Sequence, residues 1–194
     1  MNAALPDRFS VCLDELWIAE GGFNDIAADR GGATNFGISM RFLAKEVRVN
    51  RRARAIVPPP ITTNTIRNLT RAQATALYKL CFWDALRAGE LPVHIDHAVF
   101  CFGVNAGPGR SANFLQRSIN LCLRYHEGIA VDGRIGPKTL AAAQLVLERG
   151  LVVAFLGHFR GMVRTHYRMI TVRDRSQRVF LDGWNNRAAK LGTV

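Results

Sequence analysis

The stretch AEGGFNDIAADRGGATNFGIS, residues 19–39, decides the fold, because it is too polar and too rich in glycine to be core. Before it, apolar residues recur at helical spacing, which predicts a helix over residues 7–20. The apolar positions are Phe9, Cys12, Leu13, Leu16 and Trp17. Gly21-Gly22 is typical of a helix end, and residues 23–39 are predicted to form turns and a small hairpin.

Glu20 lies at the last turn of the predicted helix and continues the apolar stripe through Leu13 and Leu16. A carboxyl group on such a stripe is costly unless it is paired or used. Desolvation there favours the protonated form that a general acid needs. Periodicity alone leaves open that Glu20 only caps a turn or pairs with an arginine.

Asp29 and Thr34 follow in the glycine-rich loop, which folds back easily toward the helix end. Glycoside hydrolysis requires one protonated carboxyl group for the leaving oxygen. It also requires a second group that holds a water or stabilises the oxocarbenium-like centre. Glu20 fits the first role, and Asp29 and Thr34 fit the second.

The opening stretch closely resembles the signature of the glycoside hydrolase 108 family, E-G-G-[YF]…D-x-G-G-x-T-[NK]-[YF]-G-I. These proteins are phage endolysins and secretion-associated N-acetylmuramidases that cut peptidoglycan. LTRAQATALYKLCFW, residues 69–83, fits a helix of the same family. The resemblance covers residues 9–187 and implies that Glu20 is the essential catalytic acid. By analogy with phage-type lysozymes, it implies Asp29 and Thr34 as the next catalytic residues.

The second half of the chain resembles the peptidoglycan-binding module that usually follows. The matching segments are FGVNAGPGRSANFLQRSI (102–119), VDGRIGPKTL (131–140) and F-x-x-GW-x-x-R (180–187). We therefore predict a catalytic region over residues 9–95 and a peptidoglycan-binding-like helical region over residues 96–190. Residues 87–95 are too short and too apolar for a flexible linker, so one shared core is expected.

The fold class expected is mainly α, lysozyme-like, with a small hairpin or irregular region after the first helix. Thr70 and Gln73 form a capping-box pattern that opens a helix to about Leu86. Pro137 suits the first position of a later helix. Periodicity predicts further helices over residues 93–102, 111–125, 137–148 and 150–170 and one near residues 180–187.

The sequence departs from the family pattern at three places. Cys101 stands where the family often has an aspartate, and Phe23 replaces the commoner tyrosine, which removes a hydroxyl group. The basic segment 45–60, which ends in three prolines, has no clear counterpart. Any support that the aspartate gives to the cleft must come here from other residues.

Five residues are candidate substrate contacts, because aromatic rings pack on pyranose faces and amides bond sugar hydroxyls. They are Asn35, Phe36, Trp83, Asn105 and Gln116. A core position is the alternative for Trp83, and turn or helix-cap roles are the alternative for the amides.

No metal or organic cofactor is expected. His94, His97 and Cys101 share one predicted helix face, but this ligand set is thin for zinc, and a satisfied or surface histidine pair is favoured. The cysteines, at positions 12, 81, 101 and 122, form no C-x-x-C pair and have apolar neighbours. They are predicted to be four reduced, buried thiols.

The formal charge of +11 favours anionic partners. The arginines that could draw the protein to an anionic envelope surface are Arg48, Arg51, Arg52 and Arg54. The alternative is that these residues form an ordinary solvated face. The cluster has few aromatic residues for base stacking and matches no nucleic-acid motif, so no nucleic-acid partner is expected. A monomer that contacts peptidoglycan glycan strands is expected.

The N-terminus has neither a basic start nor a clean apolar run, which argues against a standard secretory signal peptide. We expect a protein made in the cytoplasm that reaches the wall or periplasm through a holin-type pore or by secretion. The predicted activity is that of an endolysin, a lysozyme-type N-acetylmuramidase. A lytic transglycosylase at the same site and a non-catalytic wall-binding module are the alternatives.

Overall fold

The computed structural model describes residues 7–19, 22–24, 32–123 and 128–194. These parts are mainly helical, with ten α-helices and one two-stranded antiparallel sheet among them. The chain divides into two compact units, Met1–Asp84 and Ala85–Val194. The mainly α, lysozyme-like class predicted from the sequence is confirmed.

The first unit contains one helix, a hairpin and then four short helices. The elements are α1 (Arg8–Ala19), β1 (Thr34–Asn35), β2 (Ile38–Ser39), α2 (Met40–Val49), α3 (Arg51–Ile56), α4 (Thr63–Arg67) and α5 (Arg71–Tyr78). A π-helical turn, Lys79–Asp84, continues α5. The predicted first helix and hairpin are both present.

The short helices of this unit are delimited by polar caps. Thr70 and Gln73 form the predicted capping box of α5. Asn50 ends α2 and begins α3, where its side chain accepts hydrogen bonds from the backbone N–H groups of Arg52 and Ala53. The basic segment 45–60 is therefore largely helical, which its charges concealed in the sequence.

The apolar stripe of α1 is buried as predicted, with Phe9, Cys12, Leu13 and Leu16 all inside the core. Trp17 is half-buried. The stripe therefore holds to the last turns of the helix, directly before the glycine-rich stretch.

The second unit contains five longer helices: α6 (Ile95–Ala106), α7 (Pro108–Leu123), α8 (Pro137–Glu148), α9 (Val152–Arg173) and α10 (Leu181–Ala189). Pro137 occupies the first turn of α8, as predicted. Gly107, at a φ of +88°, separates α6 from α7 and alone makes the bend.

α6 is the central helix of the second unit, because every residue from Ile95 to Gly103 is buried. Phe102 stacks on Phe114 of α7 with ring centroids 5.1 Å apart and meets Phe159 of α9 edge-on at 5.8 Å. At Gly103, an added Cβ would lie 2.5 Å from the Leu86 side chain. Side chains of α7 and α9 thus enclose α6.

All four cysteines are free thiols. Cys12, Cys81 and Cys101 are buried as predicted, whereas Cys122 is only half-buried, because its position on α7 lies at the edge of the buried face. Burial, with a smaller contribution from the charge of Glu46, raises the pKa of the Cys81 thiol to about 12. Among the described residues, no helix is long and apolar enough to cross a bilayer.

Candidate active site

The hairpin of the opening motif closes on a tight turn. Thr34 pairs with Ser39 and Asn35 with Ile38, so Phe36 and Gly37 form a two-residue loop with φ values of +49° and +70°. Positive φ at both loop positions is typical of a type I′ turn, which favours asparagine and glycine. A phenylalanine at the first position is strained, so the surrounding contacts must hold it there.

Aromatic contacts provide that support. The Phe36 ring lies edge-on to Trp17 near the end of α1, with centroids 5.6 Å apart. The Tyr78 hydroxyl donates to the Phe36 carbonyl oxygen at 2.9 Å, and the Tyr78 ring packs edge-on against Trp17 at 5.5 Å. The end of α1, the hairpin and α5 therefore meet around this turn.

Asn35 joins the hairpin to α4. Its side chain is buried, and its amide nitrogen donates to the carbonyl oxygens of Ile66 at 3.0 Å and Arg67 at 3.2 Å. Both carbonyls belong to the last turn of α4, and that of Ile66 also accepts from the Leu69 N–H at 3.2 Å. The structure therefore places Asn35 in a supporting position and not on an open face.

We expect Asn35→Ala to lower the free energy of unfolding by about 1–3 kcal/mol, because it leaves two helix-end carbonyls without their buried donor. Urea unfolding followed by circular dichroism measures this change. Asn186→Ala, at an exposed position of α10, is the matched control and should change stability by less than about 0.5 kcal/mol. Equal stability of the two variants would contradict this role for Asn35.

Thr34 lies on the opposite strand face from its neighbour Asn35, because successive side chains alternate. It is half-buried, and its hydroxyl donates to the Gly32 carbonyl oxygen at 3.3 Å. Its backbone exchanges two hydrogen bonds of 2.8 Å with Asn24. The hydroxyl oxygen retains acceptor capacity, so this rigidly held group is able to bind a water.

Two arginines lie over aromatic rings of the first unit. The Arg71 guanidinium lies 5.3 Å from the centroid of the Trp17 ring, and that of Arg67 lies 4.8 Å from the centroid of Phe23. Sequence analysis missed both, because they are distant in sequence from the rings that they cover. Arg71 thus brings positive charge to the end of α1.

The two carboxylates predicted to act with Thr34 lie outside the described residues. Glu20 follows α1 in the sequence, and Asp29 lies between Asn24 and Thr34. Their roles stay predictions.

Trp83 was predicted as a sugar platform, but the structure places it in the core. Its side chain is buried in the π-helical turn, and its ring packs edge-on against Phe9 with centroids 5.5 Å apart. This is the alternative that the sequence left open. Phe36 is half-buried and therefore retains some accessible ring surface.

Asn105 and Gln116 belong to the second unit, where both make internal hydrogen bonds. Asn105 donates to the Cys101 carbonyl oxygen at 2.9 Å and accepts from Arg187. Gln116 is buried, and its amide nitrogen donates to Asp132 Oδ1 at 2.7 Å. This hydrogen bond, with that from the Arg134 N–H, holds the pKa of Asp132 below its usual range.

The histidine pair is not arranged as a ligand pair. The Nδ1 atom of buried His97 accepts a 2.9 Å hydrogen bond from the Gly192 N–H, whereas His94 is exposed at the start of α6. Within the described ranges, no group of three or more His, Cys, Asp or Glu side chains is placed to hold a metal ion.

Comparison with known families divides the chain near Gly107. The family described as Glycosyl hydrolase 108 matches residues 13–107, and the family described as Predicted Peptidoglycan domain matches residues 110–189. The chain combines a glycosyl hydrolase 108 region with a peptidoglycan domain. The family resemblance noted in the sequence is thus confirmed.

A solved structure has a similar fold. The structure of Brucella abortus SagA is similar to the chain, with a TM-score of 0.71 and 25% sequence identity. The match covers 95% of this chain and 91% of that one. No curated protein sequence matches the chain.

The two family regions together make this glycosyl hydrolase 108 protein a glycoside hydrolase directed at peptidoglycan. The hydrolase region includes the whole opening motif and also α6, which belongs to the second unit by its contacts. The predicted division between residues 95 and 96 stays a prediction.

Proposed function

We propose that the protein is an N-acetylmuramidase that hydrolyses the β-1,4 bond between N-acetylmuramic acid and N-acetylglucosamine. The observation that carries the proposal is the hydrolase match over residues 13–107, which includes Glu20, Asp29 and Thr34 in one motif. The hairpin that bears Thr34 is also packed on the end of α1, the helix that Glu20 follows in sequence.

In the proposed mechanism, Glu20 protonates the glycosidic oxygen as the bond to the anomeric carbon breaks. Asp29 and Thr34 orient the attacking water or stabilise positive charge at that carbon. The strained Phe36 turn supports this arrangement, because its contacts with Trp17 and Tyr78 fix the hairpin relative to α1. The reaction requires no metal or organic cofactor.

Phe36 is the one predicted contact that we retain as a sugar-binding residue in the first unit. We assign Asn35 and Trp83 to support of the fold, because both side chains are buried. In the second unit, the exposed Asn105 stays a candidate glycan contact. We assign Gln116 to support of the turn that contains Asp132.

Digestion of purified Gram-negative sacculi, followed by mass spectrometry of the released muropeptides, tests this proposal. A muramidase releases products that carry one added water per bond cleaved. A lytic transglycosylase releases 1,6-anhydro products, which are lighter by one water. Binding to sacculi without any released product would instead support a wall-binding module.

We also propose that Arg48, Arg51 and Arg52 draw the enzyme to anionic envelope polymers, since all three are exposed on α2 and α3. Arg54 contributes less, because its guanidinium donates to the carbonyl oxygens of Val47 and Arg48. No nucleic-acid partner is proposed, and the protein is proposed to act as a monomer.

This attraction predicts that the rate of sacculus lysis falls several-fold when NaCl rises from about 0.05 M to about 0.5 M, because added salt screens exposed charges. The triple variant Arg48→Gln/Arg51→Gln/Arg52→Gln should lose most of that salt dependence. The control Arg164→Gln/Arg168→Gln/Arg175→Gln removes equal charge from exposed positions elsewhere and should retain it. Salt-independent lysis by the wild type would contradict the proposed attraction to anionic envelope polymers.

The proposed site of action is the bacterial cell wall. Release through a holin-type pore, as for a phage or prophage endolysin, and action during secretion are both compatible with this activity. Host lysis upon expression with and without a holin separates the two routes.

A further inference from the structure

A groove of about 940 Å³ runs between α7 and α9 on the second unit. We define this α7–α9 groove by Arg110, Phe114 and Arg117 on α7 and by Gly161, Met169 and Arg173 on α9. All of these residues lie within the region matched by the peptidoglycan domain. Its volume is that of a small-molecule or short-peptide site.

The groove is open because α9 carries glycine at positions where a larger side chain would fill the groove. Gly157 and Gly161 are one helical turn apart on the lining face. A Cβ added at either would meet no atom within 4 Å. The helix therefore does not need these glycines for its own packing, and a bulky residue there would fill the groove without disturbing the core.

The charge of the lining is uniformly positive. Arg110, Arg117 and Arg173 project from its walls, and none of the described residues that line it is acidic. The Arg110 guanidinium lies 3.2 Å from His166 Nε2. Within the described parts of the chain, neither Arg117 nor Arg173 has a carboxylate partner. The groove thus presents cations that are available to an anionic ligand.

Apolar surface lies between these cations. Met169 is 45% exposed and Leu121, also on the lining, is 56% exposed. Phe114 and Met162 complete this surface. A ligand that combines separated anionic groups with small apolar groups fits this lining, and a short peptide of alanine and acidic residues has that chemistry.

We propose that the α7–α9 groove binds the stem peptide of peptidoglycan. The arginines would pair with the free carboxylates of the stem, and the Met169 and Leu121 side chains would contact its alanine methyl groups. This proposal rests on the proposed function, since it names the part of peptidoglycan that the second unit would hold while the hydrolase region cuts the same polymer. Binding of the stem would fix the glycan strand for the hydrolase region.

Isothermal titration calorimetry with the full chain tests the proposal directly. The probe is the soluble disaccharide N-acetylglucosamine–N-acetylmuramic acid carrying a tetrapeptide stem, which contains no bond for a muramidase to cut. The wild type should bind this probe and should bind the same disaccharide without a stem at least about tenfold more weakly.

Two kinds of variant separate the groove from general charge. Arg117→Gln/Arg173→Gln should weaken binding of the stem-bearing probe at least about tenfold, because it removes two charge-assisted contacts. Gly161→Leu keeps every charge and should weaken binding comparably by filling the groove. Arg164→Gln/Arg168→Gln, at exposed positions of α9 outside the lining, is the control and should bind within about twofold of wild type.

Three results would overturn the proposal. The first is equal affinity for the disaccharide with and without the stem, and the second is unchanged binding in Gly161→Leu. The third is that the groove variants lose binding to phosphatidylglycerol vesicles but keep binding to the stem-bearing probe. That result would assign the groove to lipid. If the wild type digests sacculi but does not bind the stem, only this inference is contradicted. Stem binding without digestion would end the proposed muramidase function alone.

Discussion

Glu20→Gln is expected to reduce the rate of sacculus hydrolysis by about 10²- to 10⁴-fold, which is the usual contribution of a general acid. Glutamine keeps the size and hydrogen-bonding shape of the side chain but carries no transferable proton at neutral pH. The loss should appear in kcat with little change in KM, because protonation of the leaving oxygen occurs in the transition state.

Glu148→Gln is the matched control, since Glu148 is an exposed residue at the end of α8. It makes the same chemical change away from the opening motif and should retain wild-type activity. Thermal unfolding of both variants should stay near that of the wild type, which would separate lost chemistry from lost folding. Normal hydrolysis by Glu20→Gln would assign the acid to another residue.

Asp29→Asn and Thr34→Val should give the next largest losses. Asp29→Asn removes the negative charge that would stabilise the developing positive centre or activate water, and we expect a loss of about 10²-fold or more in kcat. Thr34→Val keeps the β-branched shape and removes the hydroxyl. We expect a loss of about fivefold, since one neutral hydrogen bond is worth about 1 kcal/mol.

The Thr34→Val result depends on an intact hairpin. The backbone bonds between Thr34 and Asn24 do not involve the hydroxyl, and the variant loses only the 3.3 Å hydrogen bond to the Gly32 carbonyl oxygen, so unfolding stability should fall by no more than about 1 kcal/mol. Thr193→Val, at an exposed C-terminal position, is the control for this substitution. Full activity of both Asp29→Asn and Thr34→Val would leave Glu20 without the second group proposed here.

Much of the fold could be predicted because local patterns were strong. The stripe of α1, the Thr70 capping box and Pro137 each depend on residues close in sequence, and the structure agrees with all three. α2 and α3 were missed because the basic residues between Arg41 and Arg54 were interpreted as a charged surface cluster. Leu43, Val47 and Ala53 are their only buried residues in the described structure, which is too sparse a pattern to recognise.

The site was predictable as a motif but not as a set of contacts. Asn35 and Trp83 have the chemistry of sugar-binding residues, and nothing local indicates that Ile66 and Phe9 enclose them. The same limit applies to Arg71, whose contact with Trp17 arises only when α1 and α5 pack together. Sequence reveals residue type and spacing, whereas burial is decided by distant partners.

The identity of the new reducing end tests the central claim most directly. Sacculi digested by the wild type are reduced with borohydride, and the sugar alcohols released by acid hydrolysis are identified. Cleavage between N-acetylmuramic acid and N-acetylglucosamine predicts that muramitol increases with digestion and glucosaminitol does not. An increase in glucosaminitol, or in neither alcohol while the sacculi dissolve, would contradict the muramidase assignment.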